Sequence, residues 1–359
     1  MRRWHGLRIA TGALVSVLVI AACSTSSPSR TTLVSAPPGL PLILFAGDRV
    51  RAADWSGREY LPPDGVPEPT SSAIAGVLLS RPAPDGSAVV AELMPSRMWA
   101  RGAYVSARPT PPPNFDRAIW ADDSSHLCGM TYNRDNSTSV WIADSAGAWS
   151  KIATAGSWVM NGGGPSIAAC SWTNQRVAVA DSLGGNGEAD EVWLFSWNGQ
   201  LLMDHKTSLK APHIYTFSRD ASVWADFDES TGDTTVRDLM GNQLGTLKST
   251  FIEAFSWSGH YALAMDSSSD TGTRPIHNPY LMDWRSGQVF WRSPASTMLD
   301  TGIYGPVALQ PNGDGFAFPI ESTDCVNLAR CNPALEIVSP IGSWRFSGSP
   351  YLSWFINGP

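Results

Sequence analysis

Five histidines outside the amino-terminal segment, His126, His205, His213, His260 and His277, are the side chains best suited to acid–base or metal chemistry. No two of them stand at a ligand spacing, so the pattern does not point to zinc. A serine nucleophile needs a strand–turn–helix elbow of the form Gly-x-Ser-x-Gly; Gly164-Pro165-Ser166 comes nearest and breaks at Ala168. The run from Asp226 to Asp233 offers oxygen ligands to calcium, but it departs from the EF-hand spacing and reads as a solvated hairpin tip. No glycine-rich loop follows a strand and opens a helix, so a nucleotide-phosphate cradle is not expected. What remains is charge. The chain carries a net −7 and a pI near 5.3, which argues against a nucleic-acid partner, whose binding is driven by neutralising phosphates. No cofactor is implied by any of these patterns.

The amino end carries an address. Arg2, Arg3 and Arg8 flank an apolar run from Ile9 to Ala22 that is short of the roughly twenty residues a membrane span needs, which is the layout of an export signal. Its last residues, Ile20-Ala21-Ala22-Cys23, resemble the bacterial lipobox. The resemblance implies cleavage after residue 22, a lipid on Cys23, and anchoring to the outer face of the cell membrane. Residues 23–41, rich in Ser, Thr and Pro, read as a flexible tether, and residues 42–359 as the folded domain. Only four of the twenty-five basic residues are lysine, a usage that resembles GC-rich genomes such as those of actinobacteria.

With Cys23 lipidated, Cys128, Cys170, Cys325 and Cys331 remain, and four cysteines allow three pairings. The expected pairing joins Cys325 to Cys331 across a short loop and leaves Cys128 with Cys170. An exported chain meets the oxidising compartment that both bonds require.

These residues need a scaffold, and the sequence repeats one. Sixteen tryptophans, thirty-two glycines and twenty-seven prolines disfavour a helical protein. An aromatic or apolar residue, a polar turn and a strand-like run recur at Pro82, Trp120, Trp172, Phe217, Trp257, Leu309 and Trp354, 38 to 52 residues apart. Later in the units come hairpin signals such as Asp54-Trp55-Ser56-Gly57, Ser196-Trp197-Asn198-Gly199 and Asp238-Leu239-Met240-Gly241. A period of 40 to 50 residues with four strands predicts propeller blades. The expected fold is therefore all-β: a seven-bladed β-propeller of four-stranded antiparallel blades. The first blade, built from Leu42–Ala46, Arg49–Asp54 and Arg58–Leu61, would be closed by the C-terminal strand. Trp120, Trp172 and Trp257 are expected to fill the wedge between blades, whereas Trp99 and Trp158 lie in irregular stretches where a ring is available to sugar or peptide.

The Trp-Ser/Thr turns and the Pro84-Asp85-Gly86 and Pro311-Asn312-Gly313 turns resemble degenerate forms of the repeat of TolB-type, WD-repeat-like propellers. In a propeller the loops joining second to third strands emerge on one end. On this alignment they carry Asp135, Glu188, Asp190, Glu191, Asp228, Glu229, Asp233, Asp266, Asp270, Glu321 and Asp324, against Arg134, Arg274 and Arg330. Such a face would attract a basic segment or a cation, in a salt-dependent way. The expected function is a lipid-anchored binding or scaffold module for a protein or envelope component. The alternative is an enzyme with its site in the central funnel, acting on a glycan or using a bound cofactor.

Overall fold

The computed structural model describes residues 33–38, 40–46, 50–62, 80–82, 88–91, 97–100, 103–106, 115–123, 125–144, 148–157, 165–181, 191–207, 213–267, 276–294, 297–299, 307–322, 334–347 and 351–357. The chain divides into Met1–Leu33 and Val34–Pro359, and every sheet belongs to the second unit. Among the described residues there is no helix, and the strands assemble into seven antiparallel sheets.

The first sheet holds Pro41–Ala46, Val50–Asp54 and Glu59–Tyr60. The second runs from Ser80–Pro82 to Ala103–Ser106, the third from Phe115–Trp120 to Trp149–Ser157, and the fourth from Ser166–Ser171 to Leu201–Lys206. The fifth runs from His213–Phe217 to Gln243–Leu247, the sixth from Thr250–Phe255 to Val289–Arg292, and the seventh from Thr297–Leu299 to Gly342–Ser347. Within a sheet, strands that follow each other in the chain lie side by side, as short hairpin connections require. Tyr351–Asn357 breaks this order: it pairs with Pro41–Ala46, Ile43 standing opposite Phe355.

The seventh sheet departs from four strands. Thr297–Leu299 and Ala308–Leu309 both pair with Phe316–Ser322, and Ile276–His277, from the connection inside the sixth sheet, pairs with Thr297–Leu299. The borrowed strand supplies partners to an edge whose N–H and C=O groups would otherwise be bare.

The strands are apolar on both faces because each sheet is packed between two others. Side chains alternate across a strand, so in the fourth sheet Trp193 and Phe195 join a core with Ile119, Cys128 and Met130 of the third, whereas Val192 and Leu194 join one with Trp224 of the fifth. The pattern continues: Ala262 and Ala264 face the fifth sheet, Leu263 packs with Phe316 and Phe318 of the seventh, and Ala317 packs with Ile43 and Phe45 of the first. Opening strands of neighbouring sheets touch in sequence from Tyr351–Asn357 through Ser80–Pro82, Phe115–Trp120, Ser166–Ser171 and His213–Phe217 to Thr250–Phe255. Phe316–Ser322 of the seventh sheet touches Tyr351–Asn357 in turn.

The first turns of neighbouring sheets are also tied to each other. Asn174 Nδ2 donates to the Asp220 carbonyl at 2.6 Å, and Ser258 Oγ donates to Asp314 Oδ1 at 2.8 Å. These turns correct the expected tryptophan roles. Trp120 ends its strand and is 5% exposed, but Trp172 lies on a turn and is 38% exposed, and Trp257 is half-buried on another. Turn hydrogen bonds put Ala121, Ser171, Ser218 and Ser256 in equivalent places, so the counterparts of Trp120 are Cys170, Phe217 and Phe255. Besides Trp120, the buried tryptophans among the described residues are Trp193 and Trp224 on strands and Trp55, Trp197 and Trp284 on the later hairpin turns. The Trp99 side chain and all of Trp158 lie outside the described residues.

Candidate functional site

Of the eleven expected acidic positions, Asp135, Glu191, Asp228, Glu229, Asp233 and Asp266 have described side chains. Asp135 sits in the connection between Leu127–Tyr132 and Ser137–Ala143 of the third sheet, where Asn136 takes a φ of 66°. Its Oδ1 accepts from the Ser137 amide at 3.0 Å and the Ser137 hydroxyl at 2.7 Å, and these bonds hold the carboxyl below its ordinary value. Asp228 plays the same part in the fifth sheet: its Oδ1 accepts from the Ser230 amide at 2.8 Å and hydroxyl at 2.6 Å. Burial pushes this carboxyl up, but the Ser230 bonds prevail and the group lies below its ordinary value. Glu229 is exposed at the tip of the same hairpin. Asp233, at its far side, accepts from Lys248 Nζ at 2.5 Å and the Ser249 amide at 3.0 Å, and the lysine holds it low. The fold thus brings Asp228, Glu229 and Asp233 onto one hairpin and puts Asp135 two sheets away. Glu188, Asp190, Asp270 and Asp324 lie outside the described residues. Glu191 is paired with Lys206 at 2.9 Å, and Asp266 with Arg292 at 2.9 Å.

Of the cysteines, Cys128 and Cys170 are joined, with Cα atoms 5.8 Å apart; the bond links the second strand of the third sheet to the opening strand of the fourth. Cys23, Cys325 and Cys331 lie outside the described residues.

Behind the acidic hairpin lies a group of ionisable residues that motif spacing does not disclose. Asp226 is buried on Val223–Asp228, two residues before Asp228. His213 Nδ1 lies 2.6 Å from its Oδ1, while Arg237 Nε and Nη2 both donate to its Oδ2 at 3.3 Å. Across the boundary with the fourth sheet, His205 Nε2 stands 3.7 Å from Asp226 Oδ2, beyond hydrogen-bond reach. Burial raises the Asp226 carboxyl, but the imidazoles and the guanidinium outweigh it and hold the group far below the usual carboxylate range. Trp224 forms the floor: His205 meets its ring edge-on at 5.2 Å and Arg237 lies over it at 5.6 Å. The four polar residues come from strands of two sheets, so no local motif contains them. The one sequence signal is a carboxylate inside the apolar strand Val-Trp-Ala-Asp-Phe-Asp. Among the described residues no group of three His, Cys, Asp or Glu side chains is arranged to hold a metal ion.

Consecutive antiparallel meanders, each packed face to face with the next, are the geometry of one architecture. The fold is a β-propeller. The chain resembles the periplasmic gluconolactonase PpgL of Pseudomonas aeruginosa at a TM-score of 0.51 and 14% identity, over 89% of this chain and 100% of that one. At that identity the likeness extends to the fold alone. Weaker likenesses are to the β-propeller domain of the trilobed protease of Pyrococcus furiosus (TM-score 0.40, 11% identity, 70% of this chain and 78% of that one) and to a putative TolB of Agrobacterium tumefaciens (0.40, 9%, 89% and 98%). No family model and no curated protein matches the chain.

Proposed function

We propose that this β-propeller is an exported, lipid-anchored binding module that holds a basic protein or envelope partner on the end carrying its second-to-third-strand loops. In this reading the ring has seven blades and is closed by Tyr351–Asn357 beside Pro41–Ala46. The observation that carries the binding role is the way Asp135 and Asp228 are held. Each carboxylate is fixed to its own turn through Oδ1, which accepts from an amide and a hydroxyl of the same serine. Acceptors that are fixed before binding lose little entropy on meeting a cationic partner. Both carboxyls lie below their ordinary value, so the charge persists into acid.

The test is capture from envelope extracts by the soluble chain. Asp135→Asn, Asp228→Asn and Glu229→Gln together keep side-chain acceptors for the turns while removing three charges. Capture should fall, and its salt dependence should flatten; capture indifferent to the triple change would end this reading. The anchor has its own test: Cys23→Ser should move the protein from the membrane fraction to the soluble one.

One observation favours the enzymatic alternative, with a glycan or a bound cofactor in the funnel. Glu253 lies on the opening strand of the sixth sheet, where the register slips between Ile252 and Ala254, and burial pushes its carboxyl up to about 7. A carboxyl near neutrality suits proton transfer. A Glu253→Gln variant that still captures its partner favours the binding role.

A further inference from the structure

The junction between the fourth and fifth sheets contains a buried polar atom whose hydrogen bond is unmade among the described residues. His205 Nε2 has no hydrogen-bond partner among the described residues, yet it stands 3.7 Å from the Asp226 carboxylate. An unmade bond to a buried ring nitrogen is costly. We propose that His205 and Asp226 form a proton-operated clasp between these two sheets, open as described and closed when one proton from solvent binds the His205 ring and is shared from Nε2 to Asp226 Oδ2.

The step is simple in balance: an N–H bond forms, the proton comes from water, and no group leaves. Closing the clasp shortens the gap by nearly an ångström and turns a 3.7 Å approach into a charge-assisted hydrogen bond. A neutral imidazole carries a proton on one ring nitrogen and accepts a second on the other, so both nitrogens donate in the cation. The surroundings contribute in both directions. From the fifth sheet, the Asp226 carboxylate favours the cation, while Arg237, bonded to that same oxygen, and His213 on the other oxygen oppose it. On its own sheet, His205 is flanked by Asp204 and by Lys206, which is paired with Glu191. The ring also rests edge-on against Trp224, leaving its side chain 23% exposed, open enough to exchange a proton and covered enough to feel the carboxylate.

The clasp has a consequence at the loop end. Asp226 is two residues from Asp228, and His213 is paired in register with Asp228, so the hairpin that carries Asp228, Glu229 and Asp233 is braced on the fourth sheet when the clasp is shut. The inference is independent of what that hairpin binds.

The experiment compares the full exported chain with His205→Phe and His205→Gln between pH 8 and pH 5.5. Phenylalanine fills the site without a donor, whereas glutamine carries a donor that no proton controls. The midpoint of thermal unfolding should separate wild type from His205→Phe by several degrees more at pH 5.5 than at pH 8, because every other titrating group is common to both. The gap between glutamine and phenylalanine should stay constant with pH. Amide exchange, corrected for intrinsic rate, should slow in Leu201–Lys206 and Val223–Asp228 of the wild type on acidification and not in His205→Phe. A wild-type-to-phenylalanine difference that does not change with pH, or exchange in those strands that is equally pH-insensitive in both proteins, overturns the proposal.

Discussion

Asp122, on the first turn of the third sheet, accepts a hydrogen bond of 2.6 Å from the backbone amide of Trp172, fifty residues along the chain on the first turn of the fourth. The same carboxylate accepts from the Thr173 amide at 3.2 Å and the Ser171 hydroxyl at 3.1 Å. One acidic side chain therefore ends one sheet and shapes the start of the next. The polar residue in these repeated turns serves the neighbouring unit as well as its own.

Replacing Asp122 by alanine removes three bonds at a site open to water, so the loss should be about 1–2 kcal/mol rather than the cost of a buried orphan. Asp122→Asn keeps one acceptor oxygen and should recover part of it. Urea unfolding of the two variants checks the order; equal losses would show that the acceptor geometry is irrelevant.

The Cys128–Cys170 bond closes a separation of 42 residues. Reduction should lower stability by about 4 kcal/mol in the chain-entropy model. Its sulfurs lie in the core between the third and fourth sheets, so reduction should need partial unfolding. The check is the rate of thiol release by a phosphine reductant, which should rise steeply with denaturant.

Gly199 has a φ of +86°, and a Cβ built there would lie 2.1 Å from the carbonyl oxygen of Ile152 on the preceding sheet. Backbone cannot yield as a flexible side chain can. Gly199→Ala should cost about 2–4 kcal/mol, read from equilibrium unfolding, whereas Gly287→Ala, with open space around its built Cβ, should cost less despite its φ of +75°.

Glu336, on the third strand of the seventh sheet, is pushed up to about 7 by burial, against the pull of Arg345 at 3.1 Å. Its folded value is above the unfolded one, so the native state holds the extra proton between roughly pH 4.5 and 7. Stability attributable to this group is therefore greatest in acid and falls as pH rises through that window, by at most roughly 3 kcal/mol. Glu253, raised in the same direction, adds to the slope. Glu336→Gln should melt higher than wild type at pH 8, and the advantage should shrink towards pH 5. A variant that gains nothing at pH 8 would show that Arg345 satisfies the ionised form.

The chain's order of residues carried the architecture. Short apolar runs separated by Asp, Asn, Gly and Trp turns at a steady interval required antiparallel meanders, since each unit is too small to cover its own two faces and must stack on the next. The partnership of Cys128 with Cys170 was legible for a related reason: once the remaining cysteines are paired across a short loop, only one match is left. The roles of the tryptophans were not legible. Trp120 and Trp172 look alike in a repeat alignment, yet two residues of register separate a core position from an exposed turn, and register is set by cross-strand pairing rather than by spacing. His205, His213, Asp226 and Arg237 were equally hidden. They converge only because alternate side chains of two neighbouring sheets point at the same interface, and the energy of a buried charge depends on which groups packing brings within a few ångströms of it, a distance no linear pattern contains.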